Sequence, residues 1–151
     1  MPGIRFAHTN LVALDWRSLS TFYQEVFECV PTGVERDYIG ETLDRVTGMS
    51  GVRVSGQHLR LPGHEDAGPT LEIFQYEPAG TSPNLTLQGP GFAHLAFALD
   101  NLHAKQEEII KRGGRDVGEA VTLSIEGEGS LTLLYIEDPE GNVLELQQWE
   151  C

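Results

Sequence analysis

Cysteine and positive charge are what this chain has least of. Its 151 residues include two cysteines, Cys29 and Cys151, too few and too far apart for a disulfide framework or a thiolate metal site. Ten lysines and arginines stand against 23 aspartates and glutamates, a formal net charge of −13. So acidic a chain repels phosphate backbones, and neither nucleic acid nor an anionic membrane is expected as a partner. The densest basic stretch, KRGGR at 111–115, reads as a helix end, where cations suit the helix dipole. The sequence has no run of about 18 apolar residues that could span a membrane. Its opening, MPGIRFAHTN, lacks the basic-then-apolar order of a secretory signal, so the cytoplasm is the expected location. What remains is ordinary: 40% hydrophobic and 22% charged residues, the composition of a folded domain.

The chain repeats itself. FAHTNLVALD at 6–15 is echoed by FAHLAFALD at 92–100. Phe6, Ala7 and His8 match Phe92, Ala93 and His94 at an offset of 86, and Ala13-Leu14-Asp15 match Ala98-Leu99-Asp100 at an offset of 85. This implies one extra residue in the first copy, as a bulge or loop difference would give. A second echo pairs LEIFQY at 71–76 with LELQQW at 144–149, aligning Glu72 with Glu145 and Gln75 with Gln148. Each copy therefore begins with a histidine strand and ends with a glutamate strand.

Between these landmarks the two copies follow one plan. Asp15 is placed to cap a helix carrying Leu19, Phe22, Tyr23, Val26 and Phe27, which should end by Pro31. In the second copy Asp100 is placed to cap a helix carrying Leu102, Ile109 and Ile110, stopped at Gly113-Gly114. Strand-like runs follow at about 32–38 and 52–62, and at about 119–126 and 131–138. The last strands, about 69–77 and 142–149, follow the turns HEDAGP and DPEGN. Each half reads βαβββ, over about 4–77 and 91–149, with 78–90 as linker. The stretch ERDYIGETLDRVTGMSG is expected to hold a short helix or a mobile lid.

Strand alternation puts Leu144 and Leu146 on one face, and Val143, Glu145, Gln147 and Trp149 on the other. Leu71 and Ile73 likewise oppose Thr70, Glu72, Phe74 and Tyr76, and Leu95, Phe97 and Leu99 oppose His94. A lone histidine or glutamate on such a strand is ordinarily a core or solvated residue. Charges among apolar neighbours are costly unless paired or bound to metal. Two imidazoles and two carboxylates supply two nitrogens and two oxygens, a set suited to Zn, Ni, Co, Mn or Fe(II). His8, Glu72, His94 and Glu145 are the candidate ligands. His64 and His103 read as surface residues, whereas the strand parity of His58 is ambiguous.

With these motifs the chain resembles the vicinal oxygen chelate superfamily, the glyoxalase I, bleomycin-resistance and extradiol-dioxygenase group. The closing YIEDPEGNVLELQQW is the most specific part of the likeness. The resemblance implies an α+β fold in which two paired βαβββ modules form an eight-stranded cup-shaped sheet with helices outside. It implies one metal held by His8, Glu72, His94 and Glu145, two positions left open for a chelating substrate, no organic cofactor, and commonly a homodimer.

Three functions are compatible with that family. One is a metal-dependent isomerase or lyase of the glyoxalase or epimerase type, in which Glu72 or Glu145 removes an α-proton from a small carbonyl substrate. A coenzyme A thioester would need phosphate partners, for which Arg45, Arg53 and Arg60 are the candidates. Another is an Fe(II) extradiol-type dioxygenase, which needs only two histidines and one carboxylate and would want an additional acid–base histidine. The last is a non-catalytic protein that sequesters a drug or toxin. Asn10, Phe74, Tyr76, Tyr135, Gln147 and Trp149 are the candidates for contacting a small-molecule substrate or ligand.

Overall fold

The structure is a computed structural model that describes residues 3–81 and 87–150. Part of the expected linker, 82–86, and Cys151 lie outside the described residues. The chain divides into two compact units, 1–81 and 82–151, and the fold is α+β.

In the first unit the order is β1 (His8–Val12), α1 (Trp16–Phe27), β2 (Val30–Ile39), α2 (Glu41–Thr47), β3 (Arg53–Arg60) and β4 (Thr70–Glu77). The sheet runs β1-β4-β3-β2. β1 lies parallel to β4, and the other neighbours are antiparallel. Leu59, Leu71 and Ile73 are fully buried on the face that α1 covers with Leu19, Phe22, Tyr23 and Val26. The helix begins where the side chain of Asp15 accepts from the Ser18 N–H at 3.2 Å. It ends before Glu28, whose left-handed backbone (φ 58°) lets the Cys29 N–H reach the Tyr23 carbonyl at 3.2 Å. The uncertain stretch at 35–51 does contain a short helix, α2, whose Leu43 packs with Val52 and Val54 against Phe74 and Tyr76.

The second unit runs β5 (His94–Ala98), α3 (Leu102–Lys111), β6 (Arg115–Asp116), β7 (Val121–Ile125), β8 (Gly129–Glu137) and β9 (Val143–Glu150). β5 is parallel to β9, and β9 is antiparallel to β8. Here the described residues contain nine strands in all, one more than the sequence pattern implies. β6 and β7 follow one another along the same partner, β8: Asp116 faces Ile136 and Val121 faces Leu133. Two surplus residues interrupt what would otherwise be one edge strand. β2 carries the same surplus between Thr32 and Arg36, opposite His58 and Gly56, and there the strand stays continuous. The ninth strand is thus a bulge wide enough to split its strand.

The internal repeat is more regular than its letters suggest. Asn101, not Asp100, caps α3, accepting from the Ala104 N–H at 3.0 Å. Asp15 and Asn101 are 86 apart, as are His8 and His94 at the heads of β1 and β5. Ala13 N–H and Leu99 N–H, also 86 apart, bond the carbonyls of Phe74 and Gln147. The offset never changes, so the first copy has no extra residue, and the Ala-Leu-Asp match at 85 is coincidental. Ile110 is also exposed rather than packed, with Leu102 and Ile109 forming the buried side of α3.

One repeated residue has an architectural reason. Gln75 Oε1 accepts from the Trp16 N–H at 3.0 Å, and Gln148 Oε1 accepts from the Leu102 N–H at 2.8 Å. These are the first residues of α1 and α3, whose N–H groups have no partner within the helix. In each unit, therefore, the glutamate strand also anchors the helix that follows the histidine strand. Before β9, the DPEGN turn is built on buried Asp138, which accepts from the Glu140 and Asn142 N–H groups at 2.8 and 3.0 Å.

Candidate metal centre

The sheet register brings each histidine to its glutamate. On β1 and β4, His8 faces Thr70 and Asn10 faces Glu72. On β5 and β9, His94 faces Val143 and Ala96 faces Glu145. In both units the histidine lies one strand-pair step from the glutamate on the same face, so the side chains meet. His8 Nε2 is 3.3 Å from Glu72 Oε1, and His94 Nε2 is 3.2 Å from Glu145 Oε1. Both carboxylates are largely enclosed, with side-chain exposures of 12% and 10%, while the histidines are more open at 39% and 30%.

The third position differs between the copies. Across β3, Glu72 faces His58; across β8, Glu145 faces Tyr135. His58 Nε2 lies 2.8 Å from Glu72 Oε2, and its Nδ1 lies 2.8 Å from Thr70 Oγ1. Against an ionised Glu72, a neutral imidazole must carry its proton on Nε2, and Thr70 then donates to Nδ1. Burial holds the His58 imidazole below its ordinary pKa, against the pull of Glu72, and the charges of His8 and Arg36 add to the depression. The His58 ring also meets His8 edge-on, centroids 5.2 Å apart. His8, His58 and Glu72 can present one ligand atom each within 4.8 Å of one another.

Tyr135 takes the equivalent place in the second unit, edge-on to His94 at 5.1 Å. Its phenol is pushed above the usual tyrosine value, first by burial and then by the charge of Glu145. Gln147 Nε2 donates to Glu145 Oε2, and Trp149 Nε1 donates to Gln147 Oε1 at 3.0 Å. Asn10 Nδ2 donates to Glu72 Oε1 at 2.9 Å. Four of the residues expected to contact substrate, Asn10, Tyr135, Gln147 and Trp149, thus hold the paired groups directly or through one neighbour. The other two, Phe74 and Tyr76, line a cavity beside Glu72.

His58 is the member of the cluster that alternation did not assign; Thr70, placed on the Glu72 face by alternation, is the residue at its Nδ1. Val54 is buried on the Glu72 face of β3, while Leu59 is buried on the opposite face. With both parities apolar, the strand gives no clear inside, because α2 covers one face and α1 the other. His64 and His103 are exposed, as expected. Of the three arginines considered for phosphate, Arg53 is bound to Asp37 and Arg60 to Asp66, and Arg45 is exposed on α2.

A family model for the glyoxalase/bleomycin resistance protein/dioxygenase superfamily matches residues 5–146. The chain belongs to that superfamily. Solved structures agree on the fold of this superfamily member. A glyoxalase family protein from Bacillus cereus is 20% identical, with 100% of this chain and 97% of that chain covered and a TM-score of 0.82. The fosfomycin resistance protein FosX from Listeria monocytogenes is 16% identical, with coverages of 99% and 95% and a TM-score of 0.56. A glyoxalase I mutant from Zea mays is 22% identical, covering 95% of this chain and 44% of that one, with a TM-score of 0.64. No curated protein matches the sequence. No helix among the described residues is long and apolar enough to cross a membrane.

The donor atoms suit a divalent metal. Imidazole nitrogens and carboxylate oxygens face each other at 3.2–3.3 Å in both units, without thiolates, which is the donor chemistry of Zn, Ni, Co, Mn or Fe(II).

Proposed function

We propose that this superfamily member is a divalent-metal-dependent isomerase or lyase of the glyoxalase or epimerase type, acting on a small carbonyl substrate. The observation that carries the reading is the His–Glu pair built twice at the same sheet register. On this reading the two units are the modules of one domain, and His8, Glu72, His94 and Glu145 hold one metal ion per chain. The metal, when bound, supplies Lewis acidity that makes the α-proton of a chelated carbonyl compound easier to remove. A FosX structure holding Mn(II) and a dihydroxypropylphosphonic acid supports a metal and a small oxygen-rich ligand as the chemistry of the fold.

The chain's own residues do the proton work. Glu72 and Glu145 are the candidate bases, each with its second oxygen held by a neighbour: His58 at Glu72 Oε2 and Gln147 at Glu145 Oε2. A carboxylate held this way keeps one oxygen aimed while the proton is taken and returned. Asn10 donates to Glu72 Oε1, and Tyr135 faces Glu145 across β8. The small size of the substrate, the absence of any organic cofactor, a homodimeric state and a cytoplasmic location all belong to this reading.

The test is metal content after chelation and reconstitution, read by elemental analysis. About one ion per chain is expected, abolished by His8→Ala or Glu145→Ala. A protein that stays metal-free with all four side chains intact would falsify the reading.

A second reading has one observation in its favour. His8, His58 and Glu72 form a two-His, one-carboxylate set within the first unit, the pattern of Fe(II) oxygenases. Oxygen consumption with catechols after anaerobic Fe(II) loading would favour that reading over proton transfer.

A further inference from the structure

A cavity of about 570 Å³ opens on the Glu72 face of the first sheet, within the size range of small-molecule sites. Val54 and Phe74 line it from the sheet, and Leu43 and Val46 line it from α2. Between the β2 and β4 rows stands Gly56, which faces Arg36 on one side and Phe74 on the other. A Cβ at position 56 would come within 2.0 Å of the Ile73 carbonyl oxygen and 2.8 Å of Phe74 Cδ1. Any side chain there would collide with the β4 backbone and crowd the Phe74 ring.

The charge on this cavity is uneven. Arg36 is the one half-buried residue on a strand that is otherwise exposed. The acids on either side of it are engaged elsewhere: Glu35 with Arg17 at 3.0 Å and Asp37 with Arg53 at 2.8 Å. Among the described residues Arg36 has no carboxylate partner; its Nη1 donates only to the Val34 carbonyl at 3.1 Å. The surplus pair of residues after Thr32 preserves strand parity, so Arg36 stands on the same face as His58 and Glu72. In a chain of net charge −13, an arginine with no carboxylate partner among the described residues, lining an apolar cavity, offers charge-assisted hydrogen bonds to an anion.

We propose that the cavity takes a small organic acid, its carboxylate paired with Arg36 and its apolar part resting on Val54 and Phe74 beneath α2. Arg36 is then a substrate-positioning residue, and α2 is the element that selects for an apolar group. This deepens the function proposed above and rests on it only for placing the reacting oxygens towards Glu72. It limits the carbonyl substrates to those that also carry an acid group and an apolar substituent.

The probes are 3-phenylpropionate and its uncharged amide, 3-phenylpropionamide, titrated calorimetrically into the full chain with and without Zn²⁺. The acid is expected to bind at least about tenfold more tightly than the amide, the scale of one charge-assisted hydrogen bond. Arg36→Gln should bring the two within about twofold without changing amide affinity, and Arg36→Lys should restore most of the preference. Val46→Trp, on exposed α2, should weaken both probes. Equal binding of acid and amide, no binding of either, or a preference that survives Arg36→Gln would overturn the inference. The two proposals fail separately. A protein that takes no metal but keeps an Arg36-dependent acid preference loses only the catalytic reading. One that takes metal without that preference loses only this inference.

Discussion

Replacing His58 by glutamine separates the two arrangements that the first unit can support. If His58 is a support rather than a ligand, it acts on the metal through Glu72. The structure gives that support a size: one imidazole hydrogen bond to a largely enclosed carboxylate at 2.8 Å, backed by Thr70 at 2.8 Å. Loss of such a carboxylate-orienting partner weakens metal affinity by about 10–100-fold, or roughly 1.4–2.8 kcal/mol. That agrees with the ~1.5–3 kcal/mol of a single charged hydrogen bond. Loss of a ligand, as in His94→Gln, should cost more than about 100-fold on the same scale. Competition against a chromophoric chelator measures both, and urea unfolding of the metal-free proteins controls for damage to the fold. A larger loss from His58→Gln than from His94→Gln would refute the reasoning and make His8, His58 and Glu72 the working ligands.

The helix anchors can be tested without metal. Gln75→Ala and Gln148→Ala each strand a buried N–H at the first residue of α1 or α3. Each should lower unfolding free energy by about 1–2 kcal/mol in urea, and near-equal losses would support their equivalence. Cys29 is buried, and burial pushes its thiol up to about 12. Iodoacetamide at pH 8 should therefore leave it unlabelled in the native state, as read by peptide mass spectrometry, and label it in urea. The unfolded thiol ionises near its ordinary value of 9, so its contribution to stability is complete below that pH. It should fall as the pH climbs from about 9 towards 12, because only the unfolded chain then loses the proton. Rapid labelling of native protein would contradict the burial.

The metal-ligand candidates were legible because they break a local rule. Histidine and glutamate on otherwise apolar strands are exceptional, and finding each exception twice in the same order gives it meaning. Helices α1 and α3 were readable from their apolar spacing, although Ile110 proved exposed, whereas α2 was not separable from a loop. What the letters obscured lay in pairing across strands. His58 meets Glu72 through register, and β3 carries apolar residues on both faces because a helix lies on each. The cap at Asn101 was masked by a neighbouring aspartate that happened to extend a match. The splitting of one edge strand into β6 and β7 depends on how two surplus residues are absorbed, which sequence spacing does not encode. Arg36 was invisible for a related reason: its significance lies in the partners taken by Glu35 and Asp37.

Each unit closes its own circuit from histidine strand to helix to glutamate strand, through Gln75 in one and Gln148 in the other. Each His–Glu pair is therefore held by contacts within its own half of the chain. A position beside one pair can thus differ from its counterpart without disturbing the other pair. His58 stands opposite Glu72 and Tyr135 opposite Glu145, so the same frame offers an imidazole in one half and a phenol in the other.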